Sequence, residues 1–516
     1  MAEAVPQDAA TIQMDWIDAE DSEISDQVES LIERLKADKS AIDSDRDTYF
    51  STMAALENTD LIKYEVFRNQ IAQITGFKKR TLDKIVKSYY KEQHTETSDN
   101  KEVINEYIKK WIEDYHIKYI QDTKRFYLYS DGVYVNFDKD FIGSKLQQAL
   151  GNLITNSVVE EAMGVIRRSA VTHLEPSDFN PPLICLENCV LDIDTMSTYQ
   201  HSPDWWFVNK LPVKYDPQAD CPAIKQFFSE VLNPADIPLI EEIFGWVLWK
   251  YDYRPHRAVM LHGKGRNGKG TTLRLIEALL GSPNVSHISL EQLTSFRFAP
   301  ALLVDKSANL FGDTHSKDMS DTAIFKCATG EDTFSVEEKF KTPFNYRNYA
   351  KMVFAANKLP KTPDNTNGFY SRWMILDFPN RFDIDPGKMD HDLISKLTTP
   401  EELSGLLNLA IAGLNRLRAN NWTFSYRLTT EDVRFMYQRL SDPVFAFLED
   451  TCQQSDGYIT KTDLFSKYKK YAMDNTQAVM SPKKFGQAVE ENILIPVDSG
   501  YSDNDTRVWR GISWKQ

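Results

Sequence analysis

The stretch AVMLHGKGRNGKGTTLRLIEALLG, residues 258–281, decides how the chain is read. Ala258–His262 are apolar enough for a buried strand. They run into Gly263-Lys264-Gly265-Arg266-Asn267-Gly268-Lys269, and a helical pattern follows until Gly281. A G-x4-G-K segment set between a strand and a helix is a phosphate-binding loop. Its glycines let successive backbone N–H groups turn toward phosphate oxygens, and the helix N-terminus adds its dipole. Lys269 supplies the charge that neutralises the β- and γ-phosphates, so ATP with Mg²⁺ is the expected cofactor. One position departs from the pattern. The residue after the lysine is normally Ser or Thr, whose hydroxyl holds Mg²⁺, and here it is Gly270. Thr271 follows at once as the candidate for that role, with water as the alternative.

The surroundings fit a nucleotide-binding core. Residues 241–385 repeatedly give a short apolar strand, a loop and then a helix, the layout of an α/β layer. Ser307–Phe311 reads as a strand with Asp313 just past its end, placed to hold Mg²⁺ through water and to polarise the attacking water. KMVFAANKLP is an apolar strand ending in Asn357, a polar residue expected between the two nucleotide-binding strands, where it would orient that water. Arg372 precedes the strand MILDF. It should point away from its own phosphate loop, toward a neighbouring subunit, as a candidate arginine finger. An exposed arginine in a salt bridge is the simpler alternative.

Composition narrows the class. Of 516 residues, 42% are hydrophobic and 26% charged, which is ordinary for a globular chain of about three domains. No apolar run approaches the length of a membrane helix, and the N-terminus lacks the basic and apolar regions of a signal peptide. A soluble protein of the cytoplasm is expected. Five cysteines cannot form a disulfide framework. Cys185, Cys189, His201 and Cys221 fit no common zinc spacing, and strand-buried thiols are the better reading. The net charge of −15 argues at first against nucleic acid, but nine acidic side chains and no Lys or Arg fall within residues 1–30. Basic clusters stand out elsewhere, for example Lys78, Lys79, Arg80, Lys84, Lys87 and Lys91. A basic-lined ring or groove stays open.

Five segments then occur in one order: GKGRNGKGT, ANLFGDTHSK, FKCATGEDTFSVEEKFKTPF, MVFAANKLP and GFYSRWMILDFP. In order and spacing they resemble superfamily 3 helicases, specifically the poxvirus- and phage-type primase-helicase group. LENCVLDIDT, LPVKYDPQADCP and EEIFGWVLW resemble that group's helicase-associated region, and EELSGLLNLAIAGLNRL resembles the helix that closes its ATPase core. The resemblance covers residues 100–425. It implies an AAA+-type ring, usually a hexamer, that hydrolyses ATP and unwinds DNA, in the family's usual direction of 3′ to 5′. It also implies that the hairpin after Glu331 and Asp332, written SVEEKF then FNYRNYA, reaches into a central channel. Lys339 and Lys341 would then grip phosphates, and Phe340 would touch sugars or bases.

The expected architecture follows: an α/β P-loop ATPase core of AAA+ type flanked by helical, α+β and winged-helix regions. Its parts are a disordered acidic tail (1–25), a helical N-terminal region (26–98) closing in a polar linker at 94–102, and an α+β helicase-associated region (99–240). The ATPase core (241–425) and a winged helix (440–516) complete it. In the last, SPKKFGQAVEEN is a helix opened by Ser481 and Pro482, and ILIPV with RVWRGISW forms a hairpin around SGYSDND. Lys483, Lys484, Arg507 and Arg510 would contact duplex DNA, a protein–protein module being the alternative. The N-terminal helices resemble the small helical segment ahead of the helicase region, or serve as a collar. Asp192 and Asp194 look like a primase metal pair but lack a downstream His and third carboxylate, so priming is left to a separate primase or polymerase. The expected activity is that of a replicative helicase of a phage, plasmid or integrated element acting on single-stranded and forked DNA. An ATPase that loads replication proteins and an ATP-assembled origin scaffold are the alternatives.

Overall fold

The computed structural model describes residues 28–59, 61–93, 97–151, 154–172, 182–312, 318–319, 321–382, 390, 392–475, 478–492, 494–502 and 505–515. The expected acidic tail at 1–25 lies outside them. The chain divides into two compact units, Met1–Tyr119 with Asn136–Val171, and Ile120–Val135 with Thr172–Gln516.

The first unit is helical in its N-terminal part. Arg46–Thr59, Leu61–Thr75 and Lys79–Gln93 enclose a core of Tyr49, Met53, Phe67, Ile71, Leu82 and Val86. The next helix, Thr97–Asp114, corrects the linker expected at 94–102. Ile108 and Trp111 are buried on one face of this helix, and anchoring that face extends the helix back through the polar residues. In the second unit, the Asp131-Gly132 turn expected after Arg125–Ser130 is present, with φ of 49° and 88°.

The second unit is built on a five-stranded parallel sheet. Its spatial order is Trp373–Asp377, Ala258–His262, Lys351–Ala356, Ala308–Phe311, Val285–Ser286. The central strand Lys351–Ala356 is buried at every position, the mark of a parallel strand covered on both faces rather than an alternating edge. Two helices close the core by unusually near approach. A Cβ at Gly245 would lie 2.4 Å from the Ala410 carbonyl, and one at Gly413 would lie 2.2 Å from that of Glu241. Only glycine on both Ile237–Leu248 and Pro400–Ala419 permits the crossing. The buried Glu242 carboxylate is satisfied there by Arg416 Nε at 2.8 Å and by the Ser425 N–H and hydroxyl, both at 2.7 Å.

The C-terminal residues have a core of their own, with Phe447, Leu464, Tyr468, Phe485, Val489 and Trp509. The helices Pro443–Thr451, Lys461–Asp474 and Pro482–Glu490 fall where the sequence puts them. The hairpin does not. Its strands are Asp498–Tyr501 and Arg507–Trp514, and Cys452–Thr460 adds a third strand that the sequence reading lacked. Asn492 Oδ1 accepts the N–H groups of Leu494 and Ile495, and Pro496 has none, so ILIPV cannot join a ladder. Among the described residues no helix is long and apolar enough to cross a membrane.

Candidate functional site

The phosphate loop emerges from the carboxyl end of Ala258–His262, where ligands of open α/β sheets bind. Three of its glycines, Gly263, Gly265 and Gly268, have φ of 152°, 59° and 95°. A Cβ at Gly263 would lie 1.9 Å from Asn267 Nδ2, and one at Gly268 would lie 2.7 Å from Val231 Cγ1. The loop is therefore locked against its surroundings. Asn267 Nδ2 donates to the Phe378 carbonyl at 3.0 Å, and the Phe382 N–H donates to the Arg266 carbonyl at 3.2 Å.

Lys269 opens the helix Lys269–Leu280 and is only 7% exposed. A buried ammonium needs acceptors, and among the described residues these include the Gly263 carbonyl at 2.6 Å, Asn267 Oδ1 at 3.0 Å and Asn357 Oδ1 at 3.1 Å. Asn357 Oδ1 also accepts the Gly265 N–H at 3.3 Å. The strand leading to Asn357 does lie between Ala258–His262 and Ala308–Phe311, as expected. A cavity of 300 Å³ opens over these groups, lined by Arg266, Lys269, Gly270, Thr271, Arg274, Gly312 and Asn357 among others. Lys264 is exposed on the outer side of the loop. Asp313 lies outside the described residues, although Gly312 beside it lines the cavity.

A second cavity of 590 Å³ continues from the first and shares Arg266, Gly268, Thr271 and Arg274 with it. Beyond the shared residues it is lined by Phe227, Val231, Phe382, Leu393 and Leu397, with Gln226, Glu230, Asp390 and Lys396 among them. One end of the cleft thus offers charge and backbone donors, and the other a slot bearing apolar side chains. Sequence reading missed this slot because its residues come from three distant segments. The shape and chemistry fit a nucleoside triphosphate, phosphates over Lys269 and base among the apolar side chains. For the metal, Thr271 is the hydroxyl that lines both cavities among the described residues. A Cβ at Gly270 would meet nothing within 4 Å, so packing does not exclude a side chain there.

Arg372 sits at the other end of the sheet, one residue before Trp373, which pairs with Ala258. Strand rise puts it about 16 Å from its own phosphate loop. Its Nη1 donates to the Gly368 carbonyl, and its Nε is buried with no partner among the described residues.

The hairpin is shorter than expected. Thr333–Val336 pairs with Phe344–Arg347, leaving Glu337–Pro343 as a loop. Phe334, Val336, Phe344 and Tyr346 turn inward, and the alternation stops at Glu337. Both glutamates hold the loop base: Arg297 Nε meets Glu337 at 2.5 Å, and Arg125 bridges Glu338 at 2.5 Å and Asp305 at 3.1 Å. Burial raises the Glu338 carboxyl, yet Lys341 and Arg125 together hold it below its ordinary range. No sequence signal announced Arg125, which lies 213 residues away. At the tip, Phe340 has φ of 63° and is 94% exposed, with Lys339 Nζ 4.9 Å from its ring centre. Lys341 is tied to Glu338 at 2.5 Å, so of the two lysines only Lys339 makes no ion pair among the described residues.

In the C-terminal module Lys483, Lys484 and Arg507 are exposed, while Arg510 Nη2 donates to the Tyr501 carbonyl at 2.6 Å and braces the hairpin. Asp192 accepts the N–H groups of Asp194 and Thr195, and Asp194 pairs with Arg418 at 2.5 Å. Burial pushes the Cys185 thiol up to about 11 and that of Cys221 up to about 12. No His/Cys/Asp/Glu group suited to a metal occurs among the described residues.

With this geometry in hand, the comparisons fall into place. Residues 76–233 match the family model described as D5 N terminal like, and residues 261–372 match a family of unknown function, DUF5906. The chain therefore carries, ahead of its phosphate loop, a region like that of the poxvirus D5 primase-helicase, in agreement with the resemblance read from the motifs. No curated protein matches the chain. Among solved structures, an apo form of the NrS-1 C-terminal region is similar with a TM-score of 0.40 and 11% identity, covering 77% of this chain and 96% of that one. Another apo form, of residues 305–718, gives 0.39 and 10%, covering 78% and 98%. So distant a likeness carries no functional weight.

Proposed function

We propose that the protein is an ATP-dependent DNA helicase of superfamily 3, of phage, plasmid or mobile-element origin, working as an AAA+-type ring on single-stranded and forked DNA. One observation carries the reading: a single unit holds both a preformed phosphate cradle and a projecting loop with an exposed aromatic and a lysine that makes no ion pair among the described residues. A generic ATPase needs only the first.

Bound ATP and Mg²⁺ would supply the phosphoryl group and the charge that activates water. The residues divide the remaining work. Lys269 exchanges its protein oxygens for phosphate oxygens, and the N–H groups of the loop cradle them. Asn357, released from Lys269, orients water from the adjacent strand. Thr271, with Asp313, is proposed to hold the metal. Phe227, Val231 and Phe382 receive the base. Arg372, remote from its own loop and with an unpaired Nε, serves the neighbouring subunit's site. Phe340 stacks on sugars or bases and Lys339 takes a phosphate, with Lys341 joining when its link to Glu338 opens. The ATPase core (241–425) and the C-terminal module (440–516) are proposed as separate domains, the latter a winged helix presenting Lys483, Lys484 and Arg507 to duplex DNA.

A strand-displacement assay on forked DNA tests the proposal. Displacement should require ATP and fail with a non-hydrolysable analogue. Hydrolysis stimulated by DNA without any displacement would favour a loader or an origin scaffold instead.

A further inference from the structure

The first unit contains a feature that the ATPase reading does not use. We infer that Leu61–Thr75 and Lys79–Gln93 form a helix-turn-helix that binds duplex DNA through the major groove. The connection has three residues, Gly76-Phe77-Lys78. Gly76 has φ of 81°, where a side chain is strained, and its N–H closes the first helix on the Ala72 carbonyl at 2.9 Å. The Lys78 carbonyl accepts the Thr81 N–H at 2.7 Å and starts the second helix. A three-residue turn with glycine, braced by a third helix, is the layout in which a second helix enters a groove.

The charges are sorted across that second helix. Leu82 and Val86 face the core. Asp83 also faces the first helix, where Arg68 Nη1 meets it at 2.8 Å and the Tyr64 hydroxyl at 3.0 Å. Lys79, Arg80, Lys84 and Lys87 are all exposed, and none makes an ion pair among the described residues. Arg80, Lys84 and Lys87 are spaced four and three residues apart, so they stand on one stripe. Like charges at that spacing repel by a few tenths of a kcal/mol per pair, a cost that a polyanion reverses. A merely solvated face would mix signs, as most surface helices do. Here Asp83 is spent inside, fixing the angle between the helices, and Lys79, Arg80, Lys84 and Lys87 are outside. Fifteen residues span about 22 Å, enough to lie along a groove about 12 Å wide.

The test uses the full-length protein without nucleotide and a 30-base-pair duplex. Arg80→Ala/Lys84→Ala/Lys87→Ala should weaken duplex binding and lower the salt slope by about 0.9 per lost contact, close to three units in all. ATP hydrolysis stimulated by single-stranded DNA should not change, because that readout belongs to the other unit. Guanine N7 methylation should interfere with binding by the parent protein and not with residual binding by the variant. Lys84→Arg/Lys87→Arg should keep the parent slope. The substituted side chains are exposed, so thermal melting should match; Lys84→Glu repeats the test at a single position. Unchanged affinity and slope would overturn the inference. So would a change of oligomeric state at unchanged duplex binding, which would make the stripe a protein interface.

Discussion

The phosphate loop and the hairpin tip belong to the same unit and carry similar residue types, yet the fold treats them in opposite ways. Lys269 is buried and held by protein oxygens, whereas Phe340 is 94% exposed at a left-handed turn. A buried ammonium is costly unless it is hydrogen-bonded, so the loop must be folded around Lys269 before any ligand arrives. An exposed phenyl ring forgoes about 1.5–3 kcal/mol of burial, which only a partner outside the chain can return. The difference teaches that the phosphate loop is preorganised and the hairpin tip is left incomplete. Changes at the first should abolish chemistry, and changes at the second should uncouple it.

The largest effect would come from a residue at neither place. If Arg372 completes a neighbour's site, Arg372→Ala should bind ATP almost normally and hydrolyse it about 10³–10⁵-fold more slowly. Mixing it with Lys269→Ala under subunit exchange should restore part of the activity. Exchanging mixtures that stay inactive at every ratio would return Arg372 to a structural role and confine catalysis to one chain.

Next comes Lys269→Ala itself. Loss of one preorganised donor costs about 10²–10³ in rate. The variant should keep its melting temperature, read by calorimetry, because the lysine serves the ligand. A fall in stability as large as the fall in activity would contradict that division.

On the other side of the comparison, Phe340→Ala should leave basal hydrolysis near the parent rate. Binding of single-stranded DNA should weaken by about 1–3 kcal/mol, read by anisotropy, and strand displacement should fall with it. Lys339→Ala should lower the salt slope by about 0.7, and Lys341→Ala by less, since Glu338 already engages it. Equal slopes for the two lysines would show that the ion pair opens freely on DNA.

The smallest effects concern positions that share the loop's sheet or helix but not its partners. Gly270→Ser should be tolerated, because a side chain there meets nothing within 4 Å, and it should tighten Mg²⁺ dependence if Thr271 holds the metal only weakly. Lys351, at the opposite end of the sheet, donates to the Asp252 carbonyl and lies 4.8 Å from the Tyr253 ring centre. Burial pushes it down to about 7 from 10.5. Between those values the unfolded chain holds a proton that the folded chain has lost, so stability should rise with pH across that window. Chemical denaturation of Lys351→Met at several pH values should show a flatter curve than the parent.

Much of this was legible in the chain itself. The order strand, G-x4-G-K, helix specifies a phosphate cradle because only that sequence of flexible turn and N–H-rich helix start can form one. The place of Asn357, at the end of an apolar strand between two others, was legible too. Local signals also placed the C-terminal helices, where Ser481 and Pro482 mark a start that needs no tertiary help. The same locality failed where pairing depends on distant partners: the strand Cys452–Thr460, the true edges of both hairpins, and the helix that runs back to Thr97.

What the sequence determined by itself, then, is the phosphate loop, a local object encoded in consecutive residues. The tertiary structure alone decided three things. It set the strand order that puts Asn357 against Lys269, it joined an apolar slot from Phe227, Phe382 and Leu397, and it spent Glu337 and Glu338 on Arg297 and Arg125 so that Phe340 stands clear. Each depends on residues tens to hundreds of positions apart, and their meeting is fixed by packing of the whole core, which no local pattern records.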